Sequence, residues 1–168
     1  MLKGRNEFLS QFPSARHALE TEGHFVPIGD EAFQASKLDW AERTRNKEAL
    51  LLHQELLRLR REDPVFAAQD PSRLAGAVLS RQALVLRYFG SGQEGDRLLL
   101  LNLGTGLDLD PCPEPLLAPE PGKIWRVLLS SEHVRYGGMG APALPEEGRM
   151  RIPGQTALVL TSTEEKKA

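Results

Sequence analysis

The sequence predicts a mainly β fold, an antiparallel β-sandwich, preceded by an N-terminal helical segment. Three observations carry this. Up to about residue 64 charge is dense and apolar residues recur at helical spacing. From about residue 77 the period becomes that of strands, and the apolar runs there are separated by Gly/Pro-rich turns. The expected organisation is a helical segment over 1–64, a β-domain over 65–162 and a solvated, disordered tail over 163–168, where Glu164-Glu165-Lys166-Lys167 carries no apolar residue.

Residues 4–20 predict one short helix, with Phe8, Leu9 and Phe12 close on a helical wheel until Pro13 interrupts it. Residues 21–39 read as a loop punctuated by Gly23, Pro27 and Gly29. The stretch 40–62 has no Gly or Pro and is rich in Ala, Leu, Glu, Arg and Lys, so it predicts a long helix with Asp39 as N-cap. Asp63-Pro64 ends it, because the residue before a proline avoids the helical region. At 100° per residue, Ala49, Leu52, Leu56 and Leu59 form one stripe, Leu50 and Leu57 a second, and Leu51 with Trp40 lies on a third side. A helix on one flat sheet needs a single apolar face. This one is either wedged between two bodies or deeply packed inside one domain.

Beyond it, Ala83-Leu84-Val85-Leu86-Arg87-Tyr88-Phe89 and Arg97-Leu98-Leu99-Leu100-Leu101-Asn102-Leu103 flank a glycine-rich loop and predict an antiparallel pair covered on both faces. Ile124-Trp125-Arg126-Val127-Leu128-Leu129 and Thr156-Ala157-Leu158-Val159-Leu160-Thr161 are two further strong strands. Weaker ones are expected over 76–80, 107–110 and 149–152, while the proline-rich runs near 111–115 and 119–122 serve as edge or connection. Such a series of short strands with turn signals suggests a sandwich or related Greek-key assembly.

Composition narrows the function. Lys+Arg number 21 against 23 Asp+Glu, a net charge of −2, which argues against a broad nucleic-acid surface. The single cysteine, Cys112, makes neither an internal disulfide nor a cysteine metal site, and the prolines on either side leave no basic neighbour to activate its thiol. No run approaches a membrane span, and Met1-Leu2-Lys3-Gly4-Arg5 lacks the apolar stretch of a signal peptide, so the cytoplasm is the expected location.

Catalytic equipment is not visible. There is no phosphate-binding glycine loop, no dinucleotide fingerprint and no zinc-ligand spacing, and no cofactor or metal is expected. His17, His24, His53 and His133 share no motif; His53, mid-helix, is expected at a boundary or in the core, and Glu132 beside His133 points away from it on an extended chain. Asp108 and Asp110 fall on one face of a strand, which is usually a solvated edge rather than a glycosidase pair. Trp40, Trp125, Tyr88 and Tyr136 are the aromatic rings able to stack on a sugar; Trp125 and Tyr88, inside strands, are expected in the core. That leaves Trp40 and Tyr136 as weak carbohydrate-binding candidates, with no catalytic residue assigned.

Several stretches occur in order that together carry a resemblance: Ser36-Lys37-Leu38-Asp39-Trp40, the helix ending Leu56-Leu57-Arg58-Leu59-Arg60-Arg61-Glu62-Asp63-Pro64, residues 98–104, Leu116-Leu117-Ala118-Pro119, Ser130-Ser131-Glu132 with Arg135-Tyr136-Gly137-Gly138, and Ile152-Pro153-Gly154 before Leu158-Val159-Leu160. From about residue 4 to 160 the chain resembles the C-terminal region of malto-oligosyltrehalose trehalohydrolases, glycoside hydrolases of the α-amylase superfamily. Glycogen-branching enzymes, with a similar Tyr-Gly-Gly loop, are the nearest competing relatives. His133-Val134 departs from the Asp-Pro-like pair frequent at that turn. The resemblance implies a (β/α)₈ barrel followed by a C-terminal β-domain. Residues 40–62 would be the last barrel helix, residues 4–39 the final barrel loops, and the sequence from about 74 the β-domain. The family releases trehalose from maltooligosyl trehalose, in trehalose biosynthesis from maltooligosaccharides. Its catalytic carboxylates lie on upstream barrel strands with no matching position here. The expectation is therefore a non-catalytic C-terminal portion whose partner is a barrel-containing chain, or a second copy, docking on the helix 40–62. The alternative is a free-standing α-glucan-binding module using exposed aromatics. A third possibility, a complete small hydrolase, lacks an acid/base set.

Overall fold

The computed structural model describes residues 2–22, 30–92, 94–110, 113–140 and 150–165. The chain divides into two compact units, Met1–Thr44 and Arg45–Ala168. The boundary expected at 64 thus falls inside the second unit, which holds the long helix together with the β-domain.

The first unit is helical. Leu2–Leu9 forms α1 and Pro13–Glu22 forms α2, so Pro13 does not merely stop one helix over 4–20; it opens a second. Its missing N–H is one that a first helical turn leaves unused, and its fixed φ suits that position. Phe8 and Phe12 meet edge to face across the junction, 5.8 Å between ring centroids. The loop expected over 21–39 is corrected in the same way: α2 continues to Glu22, and Asp30–Ala35, made of good helix formers, folds as α3. Gly23, Pro27, Gly29 and His24 lie outside the described residues.

The long helix is corrected at its start and matches expectation at its end. The Asp39 carboxylate accepts the Ala41 N–H at 2.9 Å and opens a turn leading to α4, Glu42–Arg45. Asn46 then leaves helical geometry (φ −112°, ψ 38°), and the main helix, α5, runs Lys47–Glu62. Asn has local hydrogen-bonding alternatives to the helix, and β-branched Thr44 just before it adds little helical preference. At the other end Asp63 is extended (ψ 120°), as a residue before proline must be. Its Oδ1 accepts the N–H groups of Val65 and Phe66 at 3.0 and 3.3 Å, capping the short α6, Pro64–Ala67.

All seven expected strands form: β1 Leu74–Ser80, β2 Ala83–Tyr88, β3 Arg97–Asn102, β4 Leu107–Leu109, β5 Lys123–Ser130, β6 Met150–Ile152 and β7 Thr156–Glu164. The last continues past 162, so Thr163 and Glu164 are strand and not tail. The fold is mainly antiparallel β. One five-stranded sheet has the order β1-β2-β3-β7-β5, and β4 with β6 makes a second, two-stranded sheet.

Register places Val85 opposite Leu100 and Leu100 opposite Leu158, so one face of the large sheet carries Val85, Leu98, Leu100, Leu158 and Leu160. That face is closed by Met150 and Ile152 of β6 and by Leu117 from the 3₁₀ turn Pro115–Leu117. Trp125 is buried there as expected, and its indole N–H donates to the Leu117 carbonyl at 2.7 Å. The opposite face packs on α5: Leu129, Val159 and Leu99 meet Leu52 and Leu59, with Phe66 and Tyr136 at the sides. A bulge in β5 makes this possible. Val127 pairs with Leu160 but Leu129 pairs with Val159, so Leu128 is the extra residue and Val127 and Leu129 serve opposite cores.

The helix itself is not deeply packed. Leu59 is buried and Leu52 half-buried against the sheet, whereas Leu51, Leu56 and Leu57 remain 45%, 44% and 47% exposed. Leu56 shares a stripe with Leu52 and Leu59 but, unlike them, is exposed. His53, expected at a boundary or in the core, is exposed. Among the described residues no helix is long and apolar enough to cross a membrane.

Candidate functional site

The turn that follows β5 is tightly constrained. Residues Val134–Tyr136 form a 3₁₀ turn whose N-cap is His133; the imidazole Nδ1 accepts the Arg135 N–H at 3.2 Å. The chain must reverse at once, and Gly137 does so at φ 81°. Gly138 then runs so close to Glu132 that a Cβ there would sit 2.2 Å from the Glu132 backbone. The Gly140 N–H donates to the Glu132 carbonyl at 2.7 Å and the Met139 N–H to its carboxylate at 3.3 Å. Glu132 and His133 are therefore each spent on backbone donors within the turn. They do not form a dyad.

Tyr136, one of the two expected carbohydrate contacts, sits in this turn but is half-buried against Leu59, Leu129 and Val159. The Arg135 guanidinium lies over its ring, 4.6 Å from the centroid, and donates to its hydroxyl. Arg135 also reaches Glu55 of α5, at 3.6 Å. The other expected contact, Trp40, lies in the first unit on the turn before α4, 70% exposed. The two rings thus belong to different units. Asp108 is exposed on β4 with Arg151 at 3.6 Å, and Asp110 is exposed, so these carboxylates occupy an open edge. Cys112 lies outside the described residues. No cluster of three or more potential metal ligands occurs among the described residues.

Two buried ion pairs organise the domain instead. Arg87 donates from Nε to Asp96 Oδ2 at 2.8 Å, and from Nη1 to the carbonyls of Leu116 and Ala118 at 3.2 and 2.7 Å. Its guanidinium lies 5.3 Å from the Trp125 ring centroid. Asp96 Oδ1 accepts the Gly90 N–H at 2.9 Å, closing the loop between β2 and β3. Arg97 pairs with Asp63 Oδ2 at 2.9 Å and donates to the carbonyls of Glu94, Gly95 and Asp96. Each carboxylate is committed to its arginine and to backbone N–H groups, and both pairs act in architecture. One signal for them is legible in the chain: Arg87 falls two residues from Val85 and hence on its inward face, where a charge requires a partner.

Ionisation elsewhere is shifted by local partners. The Arg58 guanidinium, hydrogen-bonded to Glu55 at 2.5 Å, holds the Glu55 carboxyl below its ordinary range against a smaller opposing effect of burial. The Ser72 hydroxyl and amide do the same for Asp70, at 2.6 and 2.9 Å. Glu120 raises Lys123 above the usual lysine value.

Comparison with known proteins gives two findings. A family model described as a domain of unknown function, DUF3459, matches residues 71–159, which begin at the turn before β1 and reach into β7. Over 80 residues the chain is 40% identical to malto-oligosyltrehalose trehalohydrolase of Deinococcus radiodurans, a match covering 46% of this chain and 13% of that protein. Both support the resemblance to a C-terminal region of that enzyme family.

Proposed function

Because this chain belongs to the DUF3459 family, the C-terminal β-domain of α-amylase-type enzymes, we propose that it is the non-catalytic C-terminal portion of a trehalohydrolase-like glycoside hydrolase that serves trehalose biosynthesis. Its role is structural: it supplies packing to a catalytic barrel carried by a partner chain or by further sequence. The observation that carries this reading is α5. One side of the helix is committed to Leu129 and Val159, while Leu51, Leu56 and Leu57 are left open. Half-exposed leucines on several sides of one helix leave apolar surface that a second body would cover favourably. A barrel or a second copy of the chain is such a body.

The test is complementation. The Deinococcus radiodurans enzyme, truncated to remove the region matching this chain, is co-expressed with the chain and assayed for trehalose release from maltooligosyl trehalose. Restored soluble activity that is lost with Leu57→Lys is the expected result. Trehalose release by the chain alone, or a truncated enzyme indifferent to it, overturns the proposal. The exposed Trp40 ring favours one second reading, an α-glucan-binding module. In that case maltooligosaccharides quench its fluorescence and Trp40→Ala abolishes the response.

A further inference from the structure

The turn after β5 is fastened to α5 by the residues that follow His133. The Tyr136 ring packs among Leu59, Leu129 and Val159. The Arg135 guanidinium lies 3.6 Å from the Glu55 carboxylate. Gly137 runs beside the same helix, so that a Cβ there would meet the Glu48 side chain at 3.7 Å. His133 sets the direction in which this segment starts.

It does so in an uncommon way. The usual N-caps are Ser, Thr, Asp and Asn, whose side-chain oxygen accepts a backbone N–H. Here the acceptor is a ring nitrogen: Nδ1 takes the Arg135 N–H at 3.2 Å, with the His133 backbone extended at φ −64° and ψ 136°. An accepting Nδ1 keeps its lone pair, so the neutral ring carries its proton on Nε2. A second proton, taken up from water, lands on that lone pair. Two N–H groups then face each other, and the cap is gone. Hydroxyl and amide caps are indifferent to pH, and an aspartate keeps its charge down to about pH 4. Histidine is the side chain that changes state between about pH 5 and 8. His133 is exposed, so solvent protons reach the ring while the turn is closed.

The charged groups around the ring are already engaged. Within the turn, the Glu132 carboxylate accepts the Met139 N–H at 3.3 Å, and Arg135 lies over the Tyr136 ring and donates to its hydroxyl. On α5, Glu55 is paired with Arg58 as well as Arg135, and Glu48 lies 3.7 Å from Lys47.

We propose that His133 is a pH-sensitive latch on the junction between this turn and α5, closed while its imidazole is neutral and loosened when it takes a proton. The Tyr136 and Gly137 N–H groups donate to the carbonyls of His133 and Val134, and the Gly140 N–H to that of Glu132. Proton uptake leaves these backbone pairs intact, so the turn loosens at its start and does not unravel. The inference stands apart from the accessory-domain reading.

The test uses the full isotope-labelled chain in NMR at about pH 8 and about pH 5. At the higher pH the ring should carry its proton on Nε2, and scalar coupling should be visible through the Arg135 N–H···Nδ1 hydrogen bond. At the lower pH that coupling should vanish. His133→Asp keeps an acceptor across the whole range. The unfolding equilibrium constant of the parent, divided by that of this variant, should therefore rise about fivefold from the higher pH to the lower, as for the loss of one N-cap. The proposal is overturned if the coupling is absent at the higher pH, if it persists at the lower, or if the ratio stays flat. The coupling is read in the parent chain, so it decides the matter even where the variant does not fold.

Discussion

Asp63 serves two neighbours with one carboxylate. Oδ1 caps α6 and Oδ2 pairs with Arg97, and the two side chains are only 9% and 10% exposed. Leaving one member of such a pair without the other strands a charge in a poorly solvated site, at a cost of about 3–5 kcal/mol. Arg97→Ala is therefore expected to lower unfolding free energy in urea by about that amount. Asp63→Asn, which keeps a capping oxygen but loses the charge, should also destabilise. Arg97→Ala combined with Asp63→Asn should cost less than the sum of the two single changes, because no charge is then stranded and a capping oxygen remains. The capping half of this arrangement was legible, since Asp-Pro announces a helix break. The Arg97 half spans 34 residues and leaves no local mark.

At the scale of elements, α5 carries two expectations. Its faces are energetically unequal: Leu59→Ala removes a buried side chain from the contact with Leu129 and Val159 and should cost about 2–5 kcal/mol. Leu57→Lys, on the open face, should change stability by no more than about 0.5 kcal/mol, and paired thermal melts distinguish the two. The helix also has a mild acid sensitivity. Glu55 titrates below its ordinary value because Arg58 binds its ionised form. The Glu55 contribution is thus complete above the ordinary carboxylate range and is lost as pH falls through the lowered value. For a surface pair at this spacing the amount is about 0.5 kcal/mol. A carbon-detected NMR titration should find the Glu55 carboxyl shifted down, and Arg58→Ala should return it toward the usual range. The period of α5 and its proline stop were readable from residue order. Its break at Asn46 was not, because nothing in a run of helix formers shows where a single Asn will prevail.

For the whole molecule, every strand and both apolar clusters lie in the unit that starts at Arg45. A chain beginning there is expected to unfold cooperatively in urea with its near-ultraviolet signal from buried Trp125 intact; a gradual, featureless transition would contradict the division. Residue order alone located all seven strands and the close of α5, since alternation, β-branched and leucine-rich runs and proline stops act over a few neighbouring positions. The same order carried the family resemblance, through short segments spaced along the chain. Contact across the fold settled the rest. It sorted Val127 and Leu129 onto opposite cores through one bulged residue and paired Arg87 with Asp96 and Arg97 with Asp63. It also separated Trp40 from Tyr136. Such outcomes depend on which distant side chains arrive at the same place, and local periodicity holds no information about that.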